Sequence, residues 1–371
     1  MIQRFTVRTS DDRSMETGVT FGRGLRHRLP RSLEGNHARD VEALPGNRRL
    51  YVIDRNVHEA WQVDLRLGDA DTFVIPPGER AKSAETLLGI CSELARRAFD
   101  RTDALVSIGG GACGDVTGLA ASLFLRGIAV AHVPTTIVSM VDAALGGKCA
   151  IDIPEGKNLI GSFWTPSRLV IDPDLLTTLP VTEVRAGLGE IAKYAIGFDA
   201  ELEPLIHDAR DVDPARLDAV ILRCLRIKAD IVAHDLRESD HGKRILLNLG
   251  HTSAHAIEAW ALANDVIVRH GDAVAFGIRC AIAISLERRL IVSEEASRCL
   301  ALLNRIGAAK SLAELIGPHS TPTTRDLAPF LAADKKMRNG RLRAVLPIAF
   351  GACEVHDATI DEFLDAVSGC T

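Results

Sequence analysis

One carboxylate and three imidazoles stand at spacings that suit a metal ion. Glu190 lies in the helical pattern RAGLGEIAKYAI, His251 and His255 lie four residues apart in LNLGHTSAHAIEAW, and His270 opens the pattern RHGDAVAFGI. Residues four apart share one face of a helix. A carboxylate with two imidazoles is a catalytic zinc set that leaves coordination positions open for a substrate. The alternative is that these histidines are polar groups at helix starts whose hydrogen bonds are satisfied within the fold.

A run of three glycines has the composition of a diphosphate-binding turn. Gly109, Gly110 and Gly111 follow an apolar strand pattern in SIGGGACGDVTG. Because they lack Cβ atoms, they allow backbone N–H groups to approach phosphate oxygens closely. The segment is not the GxGxxG dinucleotide fingerprint, so a tight turn without a ligand is an equal alternative.

Residues 133–164 carry cations and amide donors of the kind that bind an oxygen-rich anion. Ammonium and amide groups that converge on a phosphate or carboxylate make charge-assisted hydrogen bonds. The polar residues of this segment that are candidates for binding such a ligand are Thr135, Thr136, Asp142, Lys148, Lys157 and Asn158. The alternative is two solvated loops with ordinary surface lysines.

Two kinds of architecture must position these candidates, and the first is an α/β domain. Up to about residue 175, short apolar runs alternate with helical stretches such as SAETLLGICSELARRAF, which predicts a parallel sheet covered by helices. Parallel sheets bind ligands at the carboxyl ends of their strands. The predicted strands are LYVIDRN, TFVIPPG, ALVSIGGG, AVAHVPTT and LVIDP.

The second architecture is helical and begins at about residue 177. ARLDAVILRCLRIKADIVAHD and GDAVAFGIRCAIAISLERRL repeat apolar residues at three- and four-residue spacings. A late segment, LRAVLPIAFGACEV, is expected to form a short hairpin. The sequence therefore predicts two domains, residues 1–176 and 177–371, with a boundary near Pro173 to Pro180.

Composition and charge exclude several classes of protein. The 371 residues carry a net charge of −5, which argues against a general nucleic-acid binder. No run reaches the roughly 18 apolar residues of a membrane span, and the first residues lack the apolar core of a signal peptide. The eight cysteines are scattered without a CxxC pair, which favours reduced thiols. A cytoplasmic location without nucleic-acid or membrane partners is expected.

Taken in order, these segments resemble the 3-dehydroquinate synthase family of sugar phosphate cyclases. The resemblance extends from about residue 50 to about residue 350, and so many motifs in one order argue against chance. It is carried by IPPGERAKSAETL, GGGACGDVTG, FLRG, PTT, VDAALGGK, GKNLIGSF, LRAGLGEIAKY, IKADIVAHD, LNLGHTSAHAIE, RHGDAVAFGI and ADKKMRNGRLR.

The resemblance implies a fold, two cofactors and an assembly. The N-terminal α/β domain would have a Rossmann-like parallel sheet and bind NAD, the all-α C-terminal domain would bind metal and substrate, and the chain would form a homodimer. Zn²⁺, or alternatively Co²⁺, would be held by Glu190, His251 and His270. The contacts with NAD would come from Asp54, Asn56, Glu79, Lys82, Gly109, Gly110, Gly111, Asp115, Thr135 and Thr136.

The resemblance also implies a phosphorylated sugar acid as substrate. In the family's reaction, 3-deoxy-arabino-heptulosonate 7-phosphate becomes 3-dehydroquinate and phosphate through transient oxidation by NAD, elimination, reduction and an aldol cyclisation. Catalytic roles would fall to Lys148, Lys193, Asn158, Arg244, His255 and Asp142. Further substrate contacts would come from Arg126, Lys157, Lys228, Asn248 and Lys336.

Departures from the family pattern leave alternatives open. Met140 stands where a Gln is common, Asp272 where a Glu is usual, and SFWTP where a Gln often precedes the Pro. Aminodehydroquinate synthases and other sugar phosphate cyclases of secondary metabolism share nearly all of the motifs. A metal-dependent alcohol dehydrogenase of the glycerol type is a second enzyme class, and an inactive nucleotide sensor is the non-enzyme alternative.

Overall fold

The chain forms two compact units. The computed structural model describes residues 2–9, 16–33, 44–67, 71–206, 216–239, 242–333, 337–338 and 341–370. The first unit comprises Met1–Leu179 and Lys228–Arg237, and the second comprises Pro180–Ile227 and Glu238–Thr371. The return of residues 228–237 to the first unit is not predictable from the sequence, because the helical pattern continues unbroken across that point.

The first unit is built on a seven-stranded sheet. The strands of this unit are β1 (Gln3–Arg8), β2 (Glu16–Phe21), β3 (Arg49–Asp54), β4 (Thr72–Ile75), β5 (Ala104–Gly109), β6 (Ala129–Pro134), β7 (Lys148–Ile153), β8 (Gly156–Phe163) and β9 (Arg168–Ile171). All but β7 and β8 join the sheet, in the order β1-β2-β9-β6-β5-β3-β4. Within this sheet, β1 and β2 pair antiparallel, and the other pairs of described strands are parallel. The predicted Rossmann-like parallel sheet is confirmed, and β1 and β2 extend its edge.

The centre of this sheet contains a topological switch point. From β3 the chain continues to β4 on one side, then crosses to β5 on the other side. Every residue of β3 and β5 is buried, as their continuous apolar runs require of strands covered on both faces. Ligands of open parallel sheets bind where the connections diverge in this way. Asp54 and Gly109, the last residues of the two strands, therefore mark the expected ligand crevice.

Three helices follow the strands of the first unit. They are α1 (Arg55–Leu65), α2 (Ala84–Arg96) and α3 (Gly111–Leu123). The Asp54 carboxylate caps α1 by accepting a hydrogen bond from the Asn56 N–H, and Ser83 caps α2 in the same way. The apolar faces of α2 and α3 pack on the sheet in a core that includes Leu50, Ile90, Leu94, Leu105, Val116, Leu119 and Val130.

Residues 148–163 form a hairpin, whereas the alternative interpretation of this region is two solvated loops. Strands β7 and β8 pair antiparallel from Lys148 with Phe163 to Ile153 with Gly156. Positions 158 to 161 of β8 are all exposed, so the segment lacks the alternation of apolar and polar residues that predicts a strand. The loop interpretation is therefore wrong for these residues.

The second unit is mainly helical. Its helices are α4 (Val181–Gly197), α5 (Asp218–His234, which continues into the first unit), α6 (His251–Ala263), α7 (His270–Glu287), α8 (Ser293–Arg305), α9 (Leu312–Ile316), α10 (Thr324–Ala332) and α11 (Ile360–Gly369). A small sheet of β10 (Met337–Arg338), β11 (Arg341–Ala349) and β12 (Ala352–Ala358) accompanies them. The predicted hairpin is thus confirmed, and this sheet is the departure from an all-α domain.

Glycines allow the central helices of the second unit to touch backbone to backbone. A Cβ atom added to Gly189 of α4 would lie 1.9 Å from the Gly271 carbonyl oxygen, and one added to Gly271 would lie 1.8 Å from the Ala186 oxygen. A Cβ added to Gly277 of α7 would lie 1.9 Å from the oxygen of Gly250, just before α6. Any side chain at these positions would force α7 away from its neighbours.

No helix in the described ranges is long and apolar enough to cross a bilayer.

Candidate functional site

The second unit brings together the three residues predicted as metal ligands. One ligand atom from each of Glu190, His251 and His270 lies within 4.8 Å of the other two. The Glu190 carboxylate is fully buried, and its Oε1 is 3.6 Å from His251 Nε2 and 3.2 Å from His270 Nε2. One buried carboxylate and two convergent imidazole nitrogens form the donor set of a tetrahedral site with an open position.

Outer partners orient both imidazoles toward Glu190. His251 Nδ1 is 3.1 Å from the Leu249 carbonyl oxygen, and His270 Nδ1 is 3.1 Å from Glu258 Oε2. A ring whose Nδ1–H donates to such an acceptor presents the Nε2 lone pair to a metal, and carboxylate partners of this kind are usual around bound zinc. Sequence reasoning missed Glu258, although it lies seven residues after His251 on the same helix and therefore on the same face.

The electrostatics of this cluster favour a positive charge at its centre. Burial opposes a charge on His270, but the carboxylates of Glu258 and Glu190 outweigh it and raise the pKa of the imidazole to about 10. The imidazolium then donates to Glu258 and forms an ion pair with Glu190. A divalent cation bound by Nε2 would supply the same positive charge and release that proton.

Each of the three predicted metal ligands is next in sequence to a glycine that lies in close backbone contact with a neighbouring helix. Gly189 precedes Glu190, Gly250 precedes His251, and Gly271 follows His270. Gly250 has φ +80°, which favours glycine, and a Cβ there would lie 2.6 Å from the Val274 oxygen. The contacts therefore fix the backbone of α4, α6 and α7 at the points from which the ligands extend.

Two residues predicted as catalytic border the same cluster. Lys193 is fully buried, with its Nζ 2.5 Å from Glu190 Oε2 and 5.0 Å from the centre of the Tyr194 ring. The His255 ring is exposed, and its centroid lies 5.4 Å from that of His251 and 6.5 Å from that of His270. A buried ammonium and an exposed imidazole thus flank the donor set.

Arg244 and Asn248 occupy the turn that leads into α6. Arg244 is 3% exposed, and Asn248 donates a 2.5 Å hydrogen bond to Glu238 Oε1. Glu238 was not among the predicted residues, and a left-handed backbone at φ 55° is its distinguishing feature, which a single sequence does not reveal. Lys336, predicted to bind substrate, lies outside the described residues.

In the first unit, predicted NAD-binding residues meet at the switch point. The Asp54 carboxylate accepts hydrogen bonds from the N–H groups of Asn56 and Gly78, at 2.9 and 3.2 Å. A Cβ on Gly109 would lie 2.6 Å from that of Cys113, so only glycine fits where β5 turns into α3. The Thr135 N–H donates to the Gly109 oxygen at 2.9 Å, which places the end of β6 beside this turn.

The other two glycines and Thr136 complete the turn. Gly110 is the N-cap of α3 and Gly111 is its first residue. A Cβ on Gly110 would lie 3.1 Å from Thr136 Cγ2. The 13-residue helix α3 thus begins at these glycines. Backbone N–H groups at the N-terminus of a helix attract phosphate.

A lysine ringed by carboxylates lies in the same unit. The Lys82 side chain is 4% exposed, and its Nζ lies 3.0 Å from Asp115, 3.7 Å from Glu79 and 3.8 Å from Asp152. It also donates to the Asn158 side-chain oxygen. Asp152, which sequence reasoning missed, accepts from the Asn158 N–H at 2.8 Å.

Three carboxylates share this one ammonium, and the pKa values of Lys82 and Asp115 reflect it. Burial opposes the charge on Lys82, but Asp115, Glu79 and Asp152 together outweigh it and raise the pKa of the ammonium. Burial also raises the pKa of Asp115 to about 6, because Lys82 only partly offsets it and Glu79 and Asp152 repel its charge. The lysine thus has three anions nearby, and the Asp115 carboxylate has two other carboxylates in its surroundings.

The remaining predicted substrate residues of the first unit are less concentrated. Lys228 Nζ donates to the Asp142 main-chain oxygen at 2.6 Å and to its carboxylate at 2.8 Å. Lys157 Nζ is 3.6 Å from Glu79. Lys148 and Arg126 are exposed, and Arg126 has a left-handed backbone with φ 66°. Asp142 and Lys228 are therefore brought together, whereas Lys148 and Arg126 present their side chains to solvent.

The fold and these sites define a class of enzyme before any relative is considered. A Rossmann-like sheet with a glycine turn at its switch point and a helical unit with a carboxylate–imidazole donor set belong to metal-dependent enzymes that handle dinucleotides. Comparison with known proteins narrows the class. Models of the 3-dehydroquinate synthase N-terminal and C-terminal domains match residues 72–186 and 187–337. The chain belongs to the 3-dehydroquinate synthase family and is a cyclase of that type.

Curated relatives agree over most of their length. The 3-dehydroquinate synthase of Pelobacter propionicus is 40% identical over 347 residues, which are 91% of each chain. That of Nostoc punctiforme is 37% identical over 302 residues, 79% of this chain and 80% of the relative.

Solved sugar phosphate cyclases share the fold. The valiolone synthase ValA of Streptomyces hygroscopicus subsp. jinggangensis, solved with NAD⁺ and Zn²⁺, matches with a TM-score of 0.77 at 28% identity over 98% of both chains. A 2-deoxy-scyllo-inosose synthase, solved with carbaglucose-6-phosphate, NAD⁺ and Co²⁺, matches with a TM-score of 0.82 over 100% of both chains. The identity of 24% to the latter supports likeness of fold alone.

Proposed function

We propose that this chain is a 3-dehydroquinate synthase, which converts 3-deoxy-arabino-heptulosonate 7-phosphate to 3-dehydroquinate and phosphate. The observation that carries the proposal is the 40% identity to a 3-dehydroquinate synthase over 91% of both chains. The convergence of Glu190, His251 and His270 within 4.8 Å supports it. The proposal includes a homodimer, a cytoplasmic location, and dependence on NAD and Zn²⁺, with Co²⁺ as a substitute.

The donor set of the second unit fits a small divalent cation. Glu190 supplies a carboxylate oxygen, and His251 and His270 supply Nε2 atoms whose orientation Leu249 and Glu258 control. When bound, such a cation acts as a Lewis acid on a substrate oxygen, and NAD accepts and returns a hydride. Three protein ligands leave a coordination position for the substrate.

The glycine turn and its neighbours fit a dinucleotide. Gly109, Gly110 and Gly111 would let the diphosphate approach the N-terminus of α3, where the backbone N–H groups carry partial positive charge. Thr135 and Thr136 flank the turn, and Asp54 holds the opposite side of the crevice. Lys82, Glu79 and Asp115 would supply donors and acceptors for the ribose and base, together with Asn56.

The cationic residues fit a phosphorylated sugar acid. Arg244 has a buried guanidinium suited to bidentate contact with phosphate or carboxylate, and Lys193 has a buried ammonium beside the donor set. Lys148, Lys157, Arg126 and Lys336 would add positive charge, and Asn158, Asn248, Asp142 and Lys228 would bind hydroxyl groups. The exposed His255 imidazole would hold or transfer a proton on the side of the substrate from which the phosphate leaves.

The test is turnover of defined substrates. Purified protein with zinc and NAD would be incubated with 3-deoxy-arabino-heptulosonate 7-phosphate, while phosphate, NADH and the organic product are followed. We expect phosphate and 3-dehydroquinate in equal amounts without accumulating NADH, because the hydride returns in each turnover. The amino analogue of the substrate, assayed in parallel, would be turned over faster by an aminodehydroquinate synthase. Steady NADH formation without phosphate release would overturn the proposal.

A further inference from the structure

A pair of thiols in the second unit has no part in the proposed chemistry. The Sγ atoms of Cys280 and Cys370 are 4.0 Å apart, although 90 residues separate them in the chain. Cys280 lies in the middle of α7 and is fully buried, whereas Cys370 directly follows α11 and is partly exposed. The structure leaves all eight cysteines as free thiols, as the sequence predicted.

We propose that Cys280 and Cys370 are a redox modification site, which a low-molecular-weight disulfide such as oxidised glutathione converts to an intramolecular disulfide bond. The sulfur atoms are already in van der Waals contact, and a bond of about 2.05 Å requires them to approach by about 2 Å more. The site does not depend on the proposed function, because neither thiol belongs to the metal or dinucleotide clusters.

The backbone around Cys370 allows this approach. Cys370 has left the helical conformation, with φ −76° and ψ 101°. A Cβ built on the preceding Gly369 would meet no atom within 4 Å, so this end of the helix has open space beside it. The start of α11 is anchored by Glu362, whose carboxylate accepts two hydrogen bonds from Arg288 at 2.7 and 2.8 Å. A small movement at the end of α11 can therefore close the sulfur gap without displacing the helix.

The environment divides the roles of the two thiols. The pKa of Cys370 is lowered, first by the hydrogen bond from the Cys280 thiol and then by the nearby Arg279 guanidinium. Arg279 is held by hydrogen bonds to the Ala309 oxygen and the Asn304 side chain. Burial instead raises the pKa of Cys299 and Cys353 to about 12. Because thiolates are the nucleophiles, Cys370 is the attacking sulfur.

The exchange proceeds in two balanced steps. The Cys370 thiolate attacks one sulfur of glutathione disulfide and displaces a glutathione thiolate, which leaves a mixed disulfide on Cys370. The Cys280 sulfur then attacks Cys370 Sγ and displaces the second glutathione, whose thiolate takes up the proton that Cys280 loses. The two protein thiols lose two electrons and two protons, and the oxidant becomes two glutathione thiols.

The first step also activates Cys280 for the second. The Cys280 pKa lies well above its usual value, mainly because of its hydrogen bond to Cys370, with burial and the Cys370 charge adding to the shift. Once Cys370 carries a disulfide, the hydrogen bond and the repulsive charge are gone, and burial is the main remaining cause. The mixed disulfide should therefore be short-lived in the parent chain.

The experiment uses the full-length protein in glutathione buffers of increasing oxidised fraction, at pH 7.5 and without denaturant. After acid quenching, free thiols would be alkylated and disulfide-linked peptides identified by mass spectrometry. We expect the loss of two thiols and one linked pair of peptides, which contain Cys280 and Cys370. The thermal unfolding midpoint should rise on oxidation, because the bond closes a long loop in the unfolded chain.

Matched variants separate this pair from the other thiols. Cys370→Ser should retain every thiol in the oxidising buffer and show no shift of the midpoint, whereas Cys353→Ser should form the bond as the parent does. Cys280→Ser should accumulate glutathione on Cys370. If Cys280→Ser fails to fold, peptide mapping of the parent still decides. A linked pair involving other cysteines, a Cys370 that remains alkylatable in the most oxidising buffer, or linkage only in denaturant would overturn the proposal.

Discussion

The two units place buried charge in opposite arrangements. In the first, one ammonium, that of Lys82, is ringed by the carboxylates of Glu79, Asp115 and Asp152. In the second, one carboxylate, that of Glu190, is ringed by His251, His270 and Lys193. The first cluster already contains its cation, the Lys82 ammonium, so it can bind a ligand through hydrogen bonds. The second has neutral or exchangeable partners on two sides, so it can accept a metal ion.

The two arrangements are also built differently. The proposed dinucleotide crevice consists of strand ends and the turns after them, where parallel strands bring their polar residues to one edge. The proposed metal site consists of side chains from three helices that cross at glycines. The first construction can be read from local patterns, whereas the second depends on contacts between segments distant in the chain. Four substitutions test this contrast.

Glu190→Gln should have the largest effect. It removes the central charge of the second cluster, so we expect loss of stoichiometric zinc and a fall in kcat/KM of at least about 1,000-fold, since the metal's stabilisation of charge in the transition state is worth several kcal/mol. Metal content by mass spectrometry and steady-state kinetics measure this. Glu183→Gln on the same helix, where the carboxylate pairs with Arg269, is the control and should retain metal. Full zinc occupancy in Glu190→Gln would place the metal elsewhere.

Lys82→Met should destabilise the first unit strongly. Breaking a buried charge cluster by removing one partner typically costs about 3–5 kcal/mol, because the remaining charges are left uncompensated. We expect a lower unfolding midpoint in urea and weaker NAD binding, with zinc content unchanged. Lys157→Met is the control, since the Lys157 side chain is more exposed than that of Lys82 and its Nζ lies 3.6 Å from Glu79. Equal midpoints for the two variants would show that Lys82 does not hold the cluster together.

Glu258→Ala should weaken metal binding without abolishing it. Loss of an outer carboxylate that orients a ligating histidine typically lowers metal affinity by about 10- to 100-fold. Competition with a chromogenic zinc chelator measures the affinity independently of turnover, and Glu258→Gln should fall between the parent and Glu258→Ala. Leu262→Ala, an exposed position on the same helix, is the control. An affinity for Glu258→Ala within twofold of the parent would remove Glu258 from the site.

Asp115→Asn should produce the smallest effect, and one that depends on pH. The pKa of Asp115 is about 6 in the folded chain, above the ordinary value of 3.8 for an aspartate. The contribution of this group to the free energy of unfolding is therefore complete below pH 3.8 and is lost as the pH rises through 6. The free energy of unfolding of the unmodified protein, relative to that of Asp115→Asn, should therefore fall by about 2 kcal/mol between pH 4.5 and pH 7.5. Urea titrations at both pH values measure the difference, with the exposed Asp265→Asn as control. A difference independent of pH would contradict the raised pKa.

Most elements were predictable because their patterns are local. The strand ending at Asp54 and the helix beginning at His270 follow directly from apolar runs and 3.6-residue periodicity. Residue type and spacing marked Glu190, His251, His255 and His270 as candidates, and the resemblance to the family selected three of them as the predicted metal ligands. The β7–β8 hairpin was missed because its exposed residues do not alternate. Strands β1 and β2 gave no pattern that the sequence analysis resolved.

The supporting residues of both clusters were not predictable from the sequence. Nothing in the neighbourhood of Glu238 and Asp152 distinguishes them from surface acids. Glu258 shares a helix face with His251, but its partner His270 lies on another helix, and tertiary packing alone brings the two together. The same holds for Cys280 and Cys370, whose contact spans 90 residues. A single sequence identifies which side chains have suitable chemistry, whereas tertiary contacts decide which of them meet.

The glycine contacts beside the proposed ligands bear on how this protein can change. Because Gly189 and Gly271 already touch backbone atoms, the distance between α4 and α7 is set by atomic radii and not by interchangeable side chains. Core substitutions elsewhere can alter stability while leaving the donor spacing fixed. Proteins that evolve from this chain could therefore acquire new substrates by substitution of the residues around the proposed metal site. The size of the metal ion that the site accepts would stay the same.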